Sequence, residues 1–197
     1  MSNKYSIDES HGLSHSMNVL NFAYNIYSVE KLKFPQLNDH ERIIYISAII
    51  HDMCDKKYMS ETDGIKEIEN FLEYKIDYNE IMIIRKIIST MSYSTVKKNG
   101  FPDLGEYQKA YHVVRESDLL SAYDFDRCMV YNLQKINPDF EDTFDTAVNL
   151  FNIRVLKHNN DNLFTTQYAK EKSVVLHNDA LLRIDSWKQL LKIKSFK

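Results

Sequence analysis

Only 4 glycines and 3 prolines punctuate the 197 residues of this chain, where average composition would supply roughly 14 and about 10. So few residues with special backbone freedom make few tight turns. Hairpin-rich all-β architectures are thereby disfavoured, and helices joined by short connections are the expected fold class. Gly12, Gly64, Gly100 and Gly105 never fall into GxGxxG or GxxxxGK[ST] spacing, so both common backbone cradles for phosphate are missing. Any phosphate chemistry must rest on side chains or on a metal.

Apolar residues make up 44% of the chain, enough for a full core in one domain of this length. The net charge of −3 leaves no basic footprint for nucleic acid. The most apolar stretch, Ile43–Ile50, is short and interrupted by Tyr45 and Ser47, so no segment is suited to span a bilayer. Met1–Ser10 is polar and lacks the apolar centre of a signal peptide. Cys54 and Cys128 form neither a disulfide framework nor a CxxC pair. These features predict a cytoplasmic protein with no nucleic-acid or membrane partner. Homo-oligomerisation stays open.

Caps and apolar spacing predict the helices. The first runs from about Leu13 to Lys31, with Val19, Phe22, Ala23 and Ile26 on one stripe. Asn38 and Glu41 have the spacing of a capping box opening the second, which turns Ile43, Ile46 and Ile50 inward and reaches about Asp52. A third covers about Asp63–Tyr74, with Ile65, Ile68 and Phe71 or Leu72 inward. Asp77 and Glu80 suggest another capping box, before Ile81, Ile84, Ile87 and Ile88 at helical spacing. Ser92–Gly105 reads as one long loop. Helices resume at about Glu106–Tyr123, Asp124–Ile136, Asp142–Lys157 and Thr165–Lys192; the last turns Leu176, Ala180, Ile184, Trp187 and Leu191 to one side, with Trp187 as a packing residue. No repeat or flexible linker divides the chain, so one all-α domain is expected, with the helices of about 142–192 packed on the preceding ones.

Three segments carry candidate chemistry: His11-Gly-Leu-Ser-His15 before the first helix, His51-Asp52 closing the second, and Asp118 within Val113–Leu120. Singly, each is an ordinary cap, dipeptide or solvated charge. His51-Asp52, however, closes a nearly all-apolar helical stretch, and two ionisable groups there need partners because unpaired buried charge is costly. Antiparallel neighbouring helices bring the start of one, with His15, beside the end of the next, with His51 and Asp52. A third helix bearing Asp118 would complete the set. Two imidazoles and two carboxylates without a thiolate suit one divalent ion such as Mn²⁺, Mg²⁺, Co²⁺, Ni²⁺ or Fe²⁺ better than a closed structural zinc site.

The order His15 … His51-Asp52 … Asp118 resembles the H…HD…D signature of the HD-domain metal-dependent phosphohydrolases, and most of all the small bacterial HD-domain nucleotide pyrophosphohydrolases. His11-x-x-x-His15-x-x-Asn18-Val19 is similar to their HDxxHxxRV opening, and Ile50–Tyr58 to HDxxDxKF. Ile88–Tyr93 is similar to the later I-x-x-I-S-F segment, and Val114–Leu120 to VQDADRL. The likeness covers about residues 5–135. It departs from the family at Asn18, where an arginine is usual, and at Leu119 and Ser121, where the family has an arginine and a second aspartate.

The resemblance implies a single HD-domain helical bundle that binds one divalent metal through His15, His51, Asp52 and Asp118. It implies hydrolysis of a nucleotide or other small phosphorylated metabolite, with water activated by the metal. Asp55 would orient the attacking water or act as a base, and Lys57 would contact substrate phosphate; both read equally as surface charges beside Lys56. His11, Asn18 and Arg127 are further substrate-side candidates, with Arg127 fitting better as the i,i+3 partner of Asp124. His112, His158 and His177 read as surface or packing residues, and His40, in the first turn of the second helix, as a surface residue. The alternative is an HD-fold metal- or ligand-binding protein whose lost arginine and aspartate mark reduced catalysis.

Overall fold

The computed structural model describes residues 12–54, 60–135 and 139–194. Among them there is no strand. Nine α-helices follow in order: α1 (Leu13–Glu30), α2 (Glu41–Ile50), α3 (Glu61–Leu72), α4 (Tyr78–Thr90), α5 (Tyr93–Asn99), α6 (Gln108–Ser121), α7 (Phe125–Lys135), α8 (Phe140–Ile153) and α9 (Gln167–Lys194). The chain is all-α. No helix among the described residues is long and apolar enough to cross a membrane.

Two compact units meet within α6, the first ending at Asp118 and the second beginning at Leu119. In the first, α1 packs on α2, α2 on α4, and α3 on α4. Val19, Ala23 and Ile26 of α1, Ile43, Ile44 and Ala48 of α2, and Ile84 and Ile87 of α4 are all buried. Their spacing of three and four residues gives each helix one apolar stripe, and burying those stripes is the main force holding the helices together. A 3-10 turn, His51–Cys54, continues directly from α2, and both α3 and α4 pack against it. In the second unit α7, α8 and α9 pack on one another. Phe125 is buried there, with Phe151 edge-on at 5.0 Å and Phe144 at 6.0 Å between ring centroids.

The α4 start is as expected: Asp77 and Glu80 form a reciprocal capping box. Other expectations need correction. The Asn38–Glu41 box does not form, because Pro35 opens a 3-10 turn over Pro35–His40. Asn38 instead donates to the Pro35 carbonyl and accepts from the Tyr27 hydroxyl. Ser92–Gly105 is not one loop. Ser92 accepts a hydrogen bond from the Thr95 backbone N–H and caps α5, which Gly100 ends at φ +75°, a conformation that costs glycine little. Only 100–104 is irregular. On α3, Leu72 is buried while Phe71 is 54% exposed.

Candidate metal centre

His15 lies in the first turn of α1, which Gly12 opens without a side-chain cap. Counting on by four, seven or eight, and eleven from His15 reaches Val19, Phe22, Ala23 and Ile26, all buried. The imidazole therefore continues the apolar stripe of its helix and is itself only 4% exposed. His51 ends α2 as its C-cap and is 7% exposed. Asp52 follows in the 3-10 turn. Asp118 comes from α6, where it is the one residue between Ala110 and Ser121 that is not buried. Its side chain keeps 28% exposure and that of Asp52 19%, so the cluster has buried imidazoles and carboxylates open to solvent.

The structure brings these four side chains together. His15 Nε2 lies 3.2 Å from His51 Nε2, 3.1 Å from Asp52 Oδ2 and 3.5 Å from Asp118 Oδ1. His51 Nε2 lies 3.4 Å from Asp52 Oδ1 and 3.5 Å from Asp118 Oδ1. His51 Nδ1–H donates to the Ala48 carbonyl at 2.8 Å, which leaves Nε2 as the nitrogen that faces the cluster.

These spacings fit a shared cation. Donors about 2.1 Å from one centre are separated by about 3.0 Å at right angles and about 3.4 Å at the tetrahedral angle. One atom each from His15, His51 and Asp118 lies within 4.8 Å of the others, and the Asp52 carboxylate touches both imidazoles. Asp52 Oδ2 is buried without a hydrogen bond of normal geometry, an orphan that a cation would satisfy. His15, His51 and Asp118 could hold a metal ion.

Electrostatics within the cluster are strong. Burial pushes the His51 pKa down, but the charges of Asp52 and Asp118 and the bonds to Asp118 and Ala48 outweigh it, and the net is up to about 9. Burial raises Asp52, yet the neighbouring imidazoles leave it below its ordinary value. Asp118 is likewise raised by burial but held well below the carboxylate range by hydrogen bonds from His15 and His51. Without a metal, the cluster holds its negative charge against protonated imidazole.

Asn18 is half-buried on α1, three residues after His15. Arg127 lies on α7 in the second unit, where its backbone N–H donates to Asp124 at 3.0 Å. His11, Asp55 and Lys57 lie outside the described residues.

Sequence reasoning missed a buried polar network on α6. Arg115, 1% exposed, donates to Glu116, 0% exposed, at 3.0 Å. His112 is also buried, with Nδ1 3.4 Å from Arg115 Nη2 and Nε2 3.1 Å from the Gln108 amide. Burial, then Arg115 and Lys109, push His112 down to about 3, so it is neutral. The sequence signal was weak, because Arg115-Glu116 runs on into Ser117 and Asp118 as one polar stretch of α6; charges buried this deeply are retained when paired.

Compared with protein-family models, with curated proteins and with solved structures, the chain matches none of them.

Proposed function

We propose that this chain is a metal-dependent phosphohydrolase acting on a nucleotide or another small phosphorylated metabolite. One observation carries the reading: from three separate sequence segments, the imidazoles of His15 and His51 meet at 3.2 Å and the carboxylates of Asp52 and Asp118 lie 3.1–3.5 Å from them. The resemblance of those same segments to the HD-domain signature supports it further.

His15 and His51 would hold a divalent ion through Nε2, and Asp52 and Asp118 through carboxylate oxygens. Such an ion supplies Lewis-acid activation of water and of a phosphoryl oxygen. The two carboxylates balance its charge. The His51–Ala48 bond keeps one imidazole oriented before any ligand arrives, which reduces the ordering needed on binding. The carboxylates' partial exposure gives a polar substrate a way in.

The test is phosphate and pyrophosphate release from a panel of nucleotides and phosphomonoesters, each assayed with Mn²⁺, Mg²⁺, Co²⁺ and Ni²⁺. Turnover with at least one metal, abolished by chelator and restored by adding the ion back, is expected. Stoichiometric metal binding without turnover of any substrate would overturn the enzyme reading and favour a metal-dependent binding protein.

A further inference from the structure

Two apolar stripes run along α1. The first, through Val19, Phe22, Ala23 and Ile26, is buried. The second is Leu13, Met17, Leu20 and Tyr24, at steps of four, three and four residues. At about 100° per residue this row lies about 140° around the helix from the buried stripe. Its side chains are accordingly uncovered: Leu13 is 72% exposed, Met17 51% and Tyr24 56%, with Leu20 half-buried.

The packed neighbour α2 extends this face. Its Tyr45 ring meets Tyr27 of α1 edge-on, with centroids 5.6 Å apart. Burial, then Glu41, Tyr27 and Tyr24, push the Tyr45 pKa up, so Tyr24 stands close enough to act on it. Ile49, one turn beyond Tyr45 on the same side of α2, is also exposed. No Asp, Glu, Lys or Arg occurs over residues 13–29 or 43–50, in a chain that is 27% charged. Even the solvent-side positions beside the row are Ser14, Asn21 and Ser28. Exposed helical surface is ordinarily charged. Loss of charge with Met and Tyr present is the composition of an interface centre.

Two features select a second copy of this chain as the occupant. A two-fold interface sets a surface against itself, so a charge near the axis would meet its like; a face without charge meets no such penalty. The four-three-four spacing is also the seam by which like helices pack. Laid antiparallel on its copy, the row is self-complementary, with Leu13 against Tyr24 and Met17 against Leu20 of the other copy. Helices of 18 and 10 residues are about 27 and 15 Å long and about 10 Å wide, a plan area of roughly 400 Å². Standard interfaces bury about 800 Å² on each partner, so the pair belongs to the weaker class and should dissociate at micromolar concentrations or above.

We propose that the outer face of α1 and α2 is a homodimer interface, with the two-fold axis passing between Met17 and Leu20. The inference is independent of the phosphohydrolase reading.

Sedimentation equilibrium of the full chain, from micromolar to roughly millimolar concentration, tests it. The wild type should pass from monomer to dimer over that range. Met17→Glu puts like charges beside the axis at a position outside the core, and should weaken the dimer by about 100-fold or more. Met17→Lys should do the same. An equimolar mixture of these two variants should associate again, since Glu and Lys then face each other; unfolded chains could not give this result. Tyr78→Glu, at an exposed aromatic on α4, should dimerise as the wild type does. A wild type that stays monomeric throughout, Met17→Glu with wild-type association, a mixture that remains monomeric, or equal weakening by Tyr78→Glu would each overturn the interface.

Discussion

At His51 a proton and a metal ion compete for one nitrogen. Nδ1–H is committed to the Ala48 carbonyl, so only Nε2 can change partner, and with the folded pKa near 9 it is protonated at neutral pH in the metal-free protein. A cation must displace that proton. Metal binding at pH 7.5 should therefore release about one proton, measurable by calorimetry in buffers of different ionisation enthalpy, and affinity should rise as pH approaches 9. A proton count of zero would contradict this assignment. The sign for metal-free stability is opposite. The folded pKa lies above the unfolded value near 6.5, so the contribution is complete below about 6.5 and is lost as pH rises through about 9. Truncating a ligand removes more than geometry: Asp118→Ala should lower metal affinity by about 100-fold or more, read by competition with a chelating dye. His51 and Asp52 were legible because ionisable groups closing an apolar helix need partners, and His15 and Asp118 joined them through the order they share with the H…HD…D signature. Arg115 and Glu116 obey the same rule, but their pairing is local to α6.

Elements were legible where a local hydrogen bond decides the boundary. Asp77 accepts from the Asn79 N–H at 2.8 Å, and Glu80 reaches back to the Asp77 N–H while also taking Arg42 of α2. Asp77→Ala should cost about 1 kcal/mol and lower the melting temperature by about 2–4 °C; an unchanged transition would show that Arg42–Glu80 alone holds the α4 start. Boundaries failed where two local devices competed. Asn38 had the residue type of a cap, but Pro35 set the backbone first. At Ser92–Gly105, glycine and proline near the end masked a capped seven-residue helix at the beginning. In the second unit, Asp126 ties α9 to α7, accepting from Arg183 at 2.7 Å and from Trp187 Nε1 at 2.7 Å. Burial raises the Asp126 pKa, but those donors outweigh it and hold it below its ordinary value. That tie is present above about pH 4 and weakens as pH falls through the lowered folded value. Trp187, the chain's one tryptophan, reports it: its fluorescence should shift in acid, and Asp126→Asn should abolish that acid transition.

For the whole molecule, a bound ion would link α1, the end of α2 and α6 at one point. A ligand that binds only the folded state at about 100 times its Kd adds about 2.7 kcal/mol, so saturating metal should raise the unfolding temperature by about 5–10 °C. The shift should vanish in Asp118→Ala; an equal shift in the variant would place the ion elsewhere. The sequence by itself determined that the chain is helical, since scarce glycine and proline and apolar stripes at three- and four-residue spacing are properties of the chain alone. It also singled out His15, His51, Asp52 and Asp118, through the ionisable pair that closes an apolar helix and through the order in which the four residues follow one another. Tertiary structure decided what depends on approach between distant segments: the 3.1–3.5 Å approaches made to the two imidazoles, the solvent opening at Asp118 and the division within α6. Local propensity acts over one or two turns, whereas a site is made by packing, and packing is settled only when all the stripes are buried together.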